Sequence, residues 1–283
     1  MEVGAPSRIS GSPSGFLRLD PIFHEKIWGM RTLRPWFKSS GKQIGEVWMT
    51  DSSQPAPILA KFIFTSANLS IQVHPPDDFA LIHEGTRGKD EMWYILRAQR
   101  GAAVAYGLRE KISREKLQAA ALSGEIESIL NWMPVKRGDV VYIPAGTIHS
   151  IGKGIALCEI QEVSKITYRL YDYGRPRELH IDKAVQVCNL DVHPNKIAPI
   201  ILGKESRRMV ACKHFVADLL TLEESYSLAS NLTKPFMLIV LEGRGKLGEK
   251  SFKAGDAWLI PTGMDGLKID PAGSCKMVKT FAP

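Results

Sequence analysis

Short apolar runs dominate the chain, separated by glycine, proline, asparagine and aspartate. LAKFIF (59–64), LSIQV (69–73), EMWYILRA (91–98), AAVAYG (102–107), DVVYIP (139–144) and IALCEIQEV (155–163) are of strand length and rich in Val, Ile, Tyr and Phe. Strands at this spacing predict an all-β barrel or sandwich. One stretch breaks the pattern. SREKLQAAALSGEIESIL (113–130) consists of good helix formers with apolar positions at helical spacing, with Ser113 as N-cap and Gly124 dividing it in two. It reads as a helical insertion between strands. A further helix is expected over Asp182–Leu190, followed by a linker over Asn189–Pro199.

An internal echo organises the rest. GDVVYIPAGTIH (138–149) and GDAWLIPTGMDG (255–266) share the frame G-D-x-x-x-I-P-x-G, each downstream of a strand ending near glycine. Two copies of one barrel design account for this. In that frame the last position is His149 in the first copy and Gly266 in the second. A glycine offers no ligand, so the first barrel is expected to hold the chemistry and the second to be metal-free. The domains read as a loose N-terminal arm (1–15), a metal-binding barrel with the helical insertion near 113–130 (16–188), and a second barrel (189–283).

The first copy carries the candidate metal ligands. Along SIQVH, Gln72 and His74 share one strand face. Glu91 opens another strand with Trp93 and Ile95 on its own face, and His149 follows on a third. The order Q-x-H, E, P-x-G-x-x-H is far more specific than any one of its histidines. One amide, one carboxylate and two imidazoles suit zinc, one ion per chain, and would accept manganese, iron or cobalt. His24, His83, His180, His193 and His214 lack such a context and read as surface or structural.

Composition narrows the function classes. The 283 residues are 44% hydrophobic and 24% charged, ordinary for a globular protein. No apolar run is long enough to cross a bilayer, and the N-terminus does not read as a signal peptide, which predicts a cytoplasmic protein. The cysteines Cys158, Cys188, Cys212 and Cys275 form no C-x-x-C pair, which argues against a thiolate zinc site. The net charge of +7 would attract nucleic acid or anionic metabolites. Basic residues are interleaved with acidic ones and form no block with aromatics, so nucleic acid is not expected, and a small phosphorylated molecule fits.

LSIQVHPPDD, GKDEMWYIL, IPAGTIHSIGKG and TYRLYDYGR, with PIFHEKIWG and GEVWMTD near the N-terminus, resemble the signature segments of type I mannose-6-phosphate isomerases in their short bacterial and archaeal form. The resemblance is dense from about Pro21 to Arg175 and looser from Asp182 onward. It implies two cupin (jelly-roll-like) β-barrels, a zinc site at Gln72, His74, Glu91 and His149, and an aldose–ketose isomerisation of a sugar phosphate. It further implies an active-site arginine at Arg169, a cleft lysine at Lys89, and substrate contacts at Lys61 and Ser70. Tyr171 and Tyr173 alternate with Arg169 and are expected on its face. Lys89 is also a candidate proton carrier, on condition that its pKa is lowered. Lys165 and Ile166 depart from the family, which commonly has an acid and a threonine there. Another sugar phosphate as substrate, or a cupin that binds without turnover, are the competing readings.

Overall fold

The computed structural model describes residues 15–50, 56–192, 200–228, 234–264 and 266–283. Residues 1–14 of the expected arm, His193 and most of the expected linker lie outside that set. Within it, all strands pair antiparallel, in four sheets of six, five, seven and four strands.

The six-stranded sheet runs in the spatial order Asp20–Met30, Ile44–Thr50, Leu59–Phe64, Ile155–Gln161, Glu91–Ala98, Val140–Ile143. It faces the five-stranded sheet Tyr168–Tyr171, Ile71–Val73, His149–Ile151, Ala103–Leu108, Leu130–Pro134. Together these make the first barrel. The seven-stranded sheet, which includes Val216–Leu222, Cys275–Phe281, Phe236–Glu242 and Ala257–Ile260, faces the four-stranded sheet of Tyr226–Ser227, Lys268–Pro271, Arg244–Leu247 and Lys250–Lys253 to make the second. The short strand Leu17–Arg18 pairs with Leu259 and Trp258, so these two residues belong to the second barrel's sheet.

The near-continuous apolar strands are explained by burial on both faces. Along Glu91–Ala98, Met92, Tyr94 and Leu96 enter an apolar cluster that also holds Met237, Ile239, Leu241, Phe215 and Val278 of the other barrel. The two large sheets thus pack back to back over one shared core. The alternate positions, Trp93 and Ile95, turn into the first barrel with Ile63, Leu157 and Val104. The second barrel is filled by Leu220, Phe236, Leu238, Val240, Trp258, Ile269 and Met277.

The helical insertion forms as expected. A helix spans Arg114–Ser123, with the Ser113 side chain accepting from the Lys116 N–H and Gly124 closing it at φ 83°, and a single turn follows over Ile126–Ile129. The later helix covers Ile181–Val187, shorter than the expected span to Leu190. Leu117, Ala120, Ala121, Ala184 and Val185 bury against Ile71, Val73 and Leu170 on the outer face of the five-stranded sheet. Every functional strand is therefore covered behind and open only toward the barrel interior.

The internal echo is a structural repeat with a corrected register. Gly138 and Gly255 both adopt positive φ, 90° and 93°, a conformation glycine takes without strain. The Gly138 N–H donates to the Ile95 carbonyl and the Gly255 N–H to that of Val240. The Asp139 carboxylate accepts from the Lys136 N–H and the Asp256 carboxylate from the Lys253 N–H. Further on, the copies diverge in length. His149 pairs with Tyr106, and its counterpart in pairing is Ile269, which sits opposite Leu247, not Gly266. Gly266 lies in the turn before that strand, at φ 67°, because the second copy uses a longer loop there.

Candidate metal centre

Three neighbouring strands set the site. Gln72 is in register with His149 on one side and Arg169 on the other, so the three residues form one row across the five-stranded sheet. On the opposite sheet, Glu159 is in register with Lys61 on one side and Trp93 on the other. Glu91 begins its strand one step further along, opposite Gln161.

His74, Glu91 and His149 bring one ligand atom each within 4.8 Å of one another. All three are 1% exposed. The ring nitrogens are sorted by what faces them. His74 Nδ1 lies 2.8 Å from the Ile166 carbonyl oxygen, and His149 Nδ1 lies 2.8 Å from that of Thr147. A carbonyl only accepts, so each Nδ1 carries the proton and each Nε2 presents a lone pair inward. His74 Nε2 is 3.3 Å from Glu91 Oε2, and His149 Nε2 is 3.5 Å from Glu91 Oε1. The Gln72 side-chain amide completes the ring, with its Nε2 3.2 Å from His149 Nε2 and its Oε1 accepting from Ser70 Oγ at 3.1 Å. Rotating that amide about its last bond presents the oxygen to the same point.

The electrostatics favour a cation. Burial, then the Lys89 charge, depress the His74 pKa to about 3, and burial also depresses that of His149, so both rings are neutral ligands. Burial alone would raise the pKa of Glu91. The charge of Lys89 outweighs it and holds the carboxyl well below its usual range. Glu91 Oε2 has no hydrogen bond among the described residues, although Lys89 Nζ stands 2.8 Å away. Two neutral imidazoles and an ionised carboxylate converging in a buried pocket fit a divalent metal ion.

Six of the eight expected residues (Gln72, Glu91, Lys61, Ser70, Lys89 and Arg169) line one cavity of about 330 Å³, and His74 and His149 contact Glu91 without lining that cavity. The cavity wall carries six basic side chains against three acidic ones. That excess suits an anionic ligand. Lys61 is buried, donates to Glu159 at 2.9 Å and to Gln161, and lies 4.8 Å from the Trp48 ring centre. Arg169 donates to the Glu178 carbonyl at 2.7 Å, and its buried Nε has no hydrogen bond among the described residues.

Two expectations change. Tyr171 and Tyr173 do not line the cavity with Arg169. A register shift between Arg169 and Tyr171 turns Tyr171 toward the helical insertion, where its ring packs at Gly124, and Tyr173 takes a positive φ of 56°. Nor is the pKa of Lys89 lowered. Burial would lower it, but Glu91 and Glu159 outweigh burial and keep it cationic.

Other cavity residues went unrecognised in the sequence. Glu159 holds Lys61 with one oxygen and accepts from Trp93 Nε1 at 3.1 Å with the other. Its signal was an acid at an inward position of an apolar strand, two residues before Gln161. Glu46, within the GEVWMTD segment, and Arg177 also line the wall. His180 is tied to Arg169 twice: its Nδ1 accepts from the Arg169 N–H at 3.2 Å and its own N–H donates to the Arg169 carbonyl at 2.7 Å.

No family model matches the chain. The mannose-6-phosphate isomerase ManA of Bacillus subtilis is 33% identical over 90% of this chain and 96% of its own length. The mannose-6-phosphate isomerase of Streptococcus mutans is 35% identical, over 80% of this chain and 74% of its own. Among solved structures, the crystal structure of the Bacillus subtilis mannose 6-phosphate isomerase superposes with a TM-score of 0.84 at 28% identity, covering 94% of this chain and 99% of that one. A phosphomannose isomerase from Salmonella typhimurium, at 14% identity and a TM-score of 0.76, shares the fold.

Proposed function

This chain belongs to the mannose-6-phosphate isomerase family, and we infer that it interconverts mannose 6-phosphate and fructose 6-phosphate as a metal-dependent aldose–ketose isomerase. The observation that carries the reading is the convergence of His74 and His149 on Glu91, which lines a net-basic cavity together with Lys61, Lys89 and Arg169.

The metal is zinc, held by His74, Glu91, His149 and the amide oxygen of Gln72. Two nitrogens and two oxygens match its preferences, and the backbone carbonyls on each Nδ1 orient the rings as outer-sphere partners do. When bound, the ion supplies Lewis-acid stabilisation of the negative charge that develops on the two sugar oxygens as the C2 proton leaves.

The chain's own groups do the rest. Arg169 presents a permanently charged donor fork from the same sheet row as Gln72 and His149, and it holds an anionic oxygen of the sugar phosphate. Lys89, cationic beside Glu91, binds a second developing negative charge. Lys61 and Ser70 orient the substrate, with Glu159 fixing Lys61 and Ser70 fixing the Gln72 amide. The apolar wall of Trp28, Trp93 and Ile63 excludes water around the reacting carbons.

Residues 16–188, apart from the strand Leu17–Arg18, form the catalytic unit, and 189–283 a second barrel with no metal in its interior, a division supported by the apolar filling of that barrel. The cysteines described are free thiols, three of them buried, which supports a reducing compartment, the cytoplasm. Among the described residues no helix is long and apolar enough to cross a membrane.

The test is a coupled assay of mannose 6-phosphate conversion with chelator and with added zinc. Turnover that chelator abolishes and zinc restores is the expected outcome. A fully metallated protein that turns over no mannose 6-phosphate refutes the assignment.

A further inference from the structure

Behind the loop that carries Lys89 and Glu91, a second group of ligand-type side chains converges. Asp77 opens the helix Asp77–Glu84, Glu162 follows the strand Ile155–Gln161, and His214 comes from the turn between Ser206–Ala211 and Val216–Leu222 of the second barrel. They offer one ligand atom each, all within 4.8 Å of one another.

The two carboxylates are anchored alike. Glu162 Oε1 accepts from the Asp90 N–H at 2.9 Å, and Asp77 Oδ1 accepts from the Gly88 N–H at 2.9 Å. A backbone amide holds the outer oxygen of each and turns the other inward. Glu162 has a side chain only 4% exposed, and its Oε2 lies 3.0 Å from His214 Nδ1. Yet that oxygen has no hydrogen bond among the described residues. Asp77 Oδ2 lies 3.8 Å from His214 Nε2 and 3.8 Å from Lys213 Nζ.

The same signature marks the first centre: a buried carboxylate oxygen in contact range of an imidazole nitrogen but outside hydrogen-bond geometry. An ion pair would align an imidazole N–H with the carboxylate. A cation between them satisfies both lone pairs without that alignment. Lys213 is 71% exposed and need not occupy the site, and Asp77, 41% exposed, leaves room for water ligands.

We propose that Asp77, Glu162 and His214 form a second site for a divalent transition-metal cation, clamping the second barrel to the segment that carries Lys89 and Glu91. One imidazole nitrogen and two carboxylate oxygens suit zinc, manganese or cobalt. The site touches no substrate, so its role is positioning.

The experiment loads the full chain with zinc, removes loose metal by gel filtration, and measures bound zinc by mass spectrometry. Wild type is expected to retain about two equivalents, and His214→Ala and Glu162→Gln about one. Glu162→Gln keeps the size of the side chain and the acceptor for Asp90, which guards against a folding artefact. His149→Ala is expected to lose the other equivalent. Wild type with about one equivalent, or two equivalents retained in both His214→Ala and Glu162→Gln, overturns the proposal. A chain without isomerase activity that still loses one equivalent on His214→Ala would refute the proposed function and leave this site standing.

Discussion

The two barrels share a frame and differ in what fills it. Where Glu91 stands opposite Ile143, the second barrel has Phe236 opposite Ile260. Where His149 stands opposite Tyr106, it has Ile269 opposite Leu247. Even the wall pair of Lys61 and Glu159 has a counterpart, Asp218 and Lys279, with the charges exchanged and the aspartate engaged by Arg208. The main-chain repeat survives because glycine conformations and backbone hydrogen bonds define the turn, and these depend little on which side chains point inward. Chemistry is lost by exchanging two inward residues for apolar ones, which costs no stability when the replacements pack. The second interior thus keeps a charged wall pair but loses the ligand set.

The largest effect that would sharpen this contrast is Glu91→Gln. It removes the sole carboxylate of the centre and leaves Lys89 buried without its partner, a disruption of the kind that costs about 3–5 kcal/mol. Turnover is expected to vanish and zinc content to fall by one equivalent, the second read by mass spectrometry against wild type, because this variant retains the Glu162 cluster. Arg169→Ala is expected to lower kcat by about 10²–10³-fold with zinc content unchanged, and Arg169→Lys to recover little, because an ammonium lacks the fork. Near-normal turnover would remove Arg169 from the mechanism.

In the second barrel, Phe236→Ala is expected to cost about 3–5 kcal/mol in denaturant unfolding while leaving activity per folded molecule intact. A large loss of kcat there would show that the apolar barrel does more than support. A pH titration divides the barrels differently. The folded pKa of His74 is depressed to about 3, so the unfolded chain binds its proton first as pH falls below the ordinary histidine value. Chelated protein is therefore expected to lose stability as pH drops from neutrality toward 4, and His74→Gln to flatten that slope. An unchanged slope in the variant would rule His74 out as its source. The smallest effect is Ser70→Ala, which removes a hydroxyl donor worth about 0.5–1.5 kcal/mol and should raise KM several-fold with little change in kcat.

Much of this was legible in the sequence. The barrel strands, the helical insertion with its Ser113 cap, and the convergence of His74, Glu91 and His149 were all readable because each rests on local pattern or on motif spacing. Three things were not. The Gly266 register failed because a gap-free frame cannot see a longer loop, which only strand pairing reveals. Tyr171 was misplaced because a bulge breaks period-two alternation and leaves no mark in composition. His214 looked isolated because Asp77 and Glu162 reach it only through contact between the barrels. Glu159 was visible in principle, as a charge at an inward position of a strand with no exposed face.

Burial of Glu91–Ala98 on both faces has a consequence for how this protein tolerates change. One strand answers to two separate demands at alternate positions. Saturation mutagenesis read along it should yield two interleaved records. Met92, Tyr94 and Leu96 would report on abundance, since they hold the barrels together, and Glu91 and Trp93 on turnover per molecule. A substitution's phenotype here would depend on whether its position is odd or even before it depends on the residue introduced.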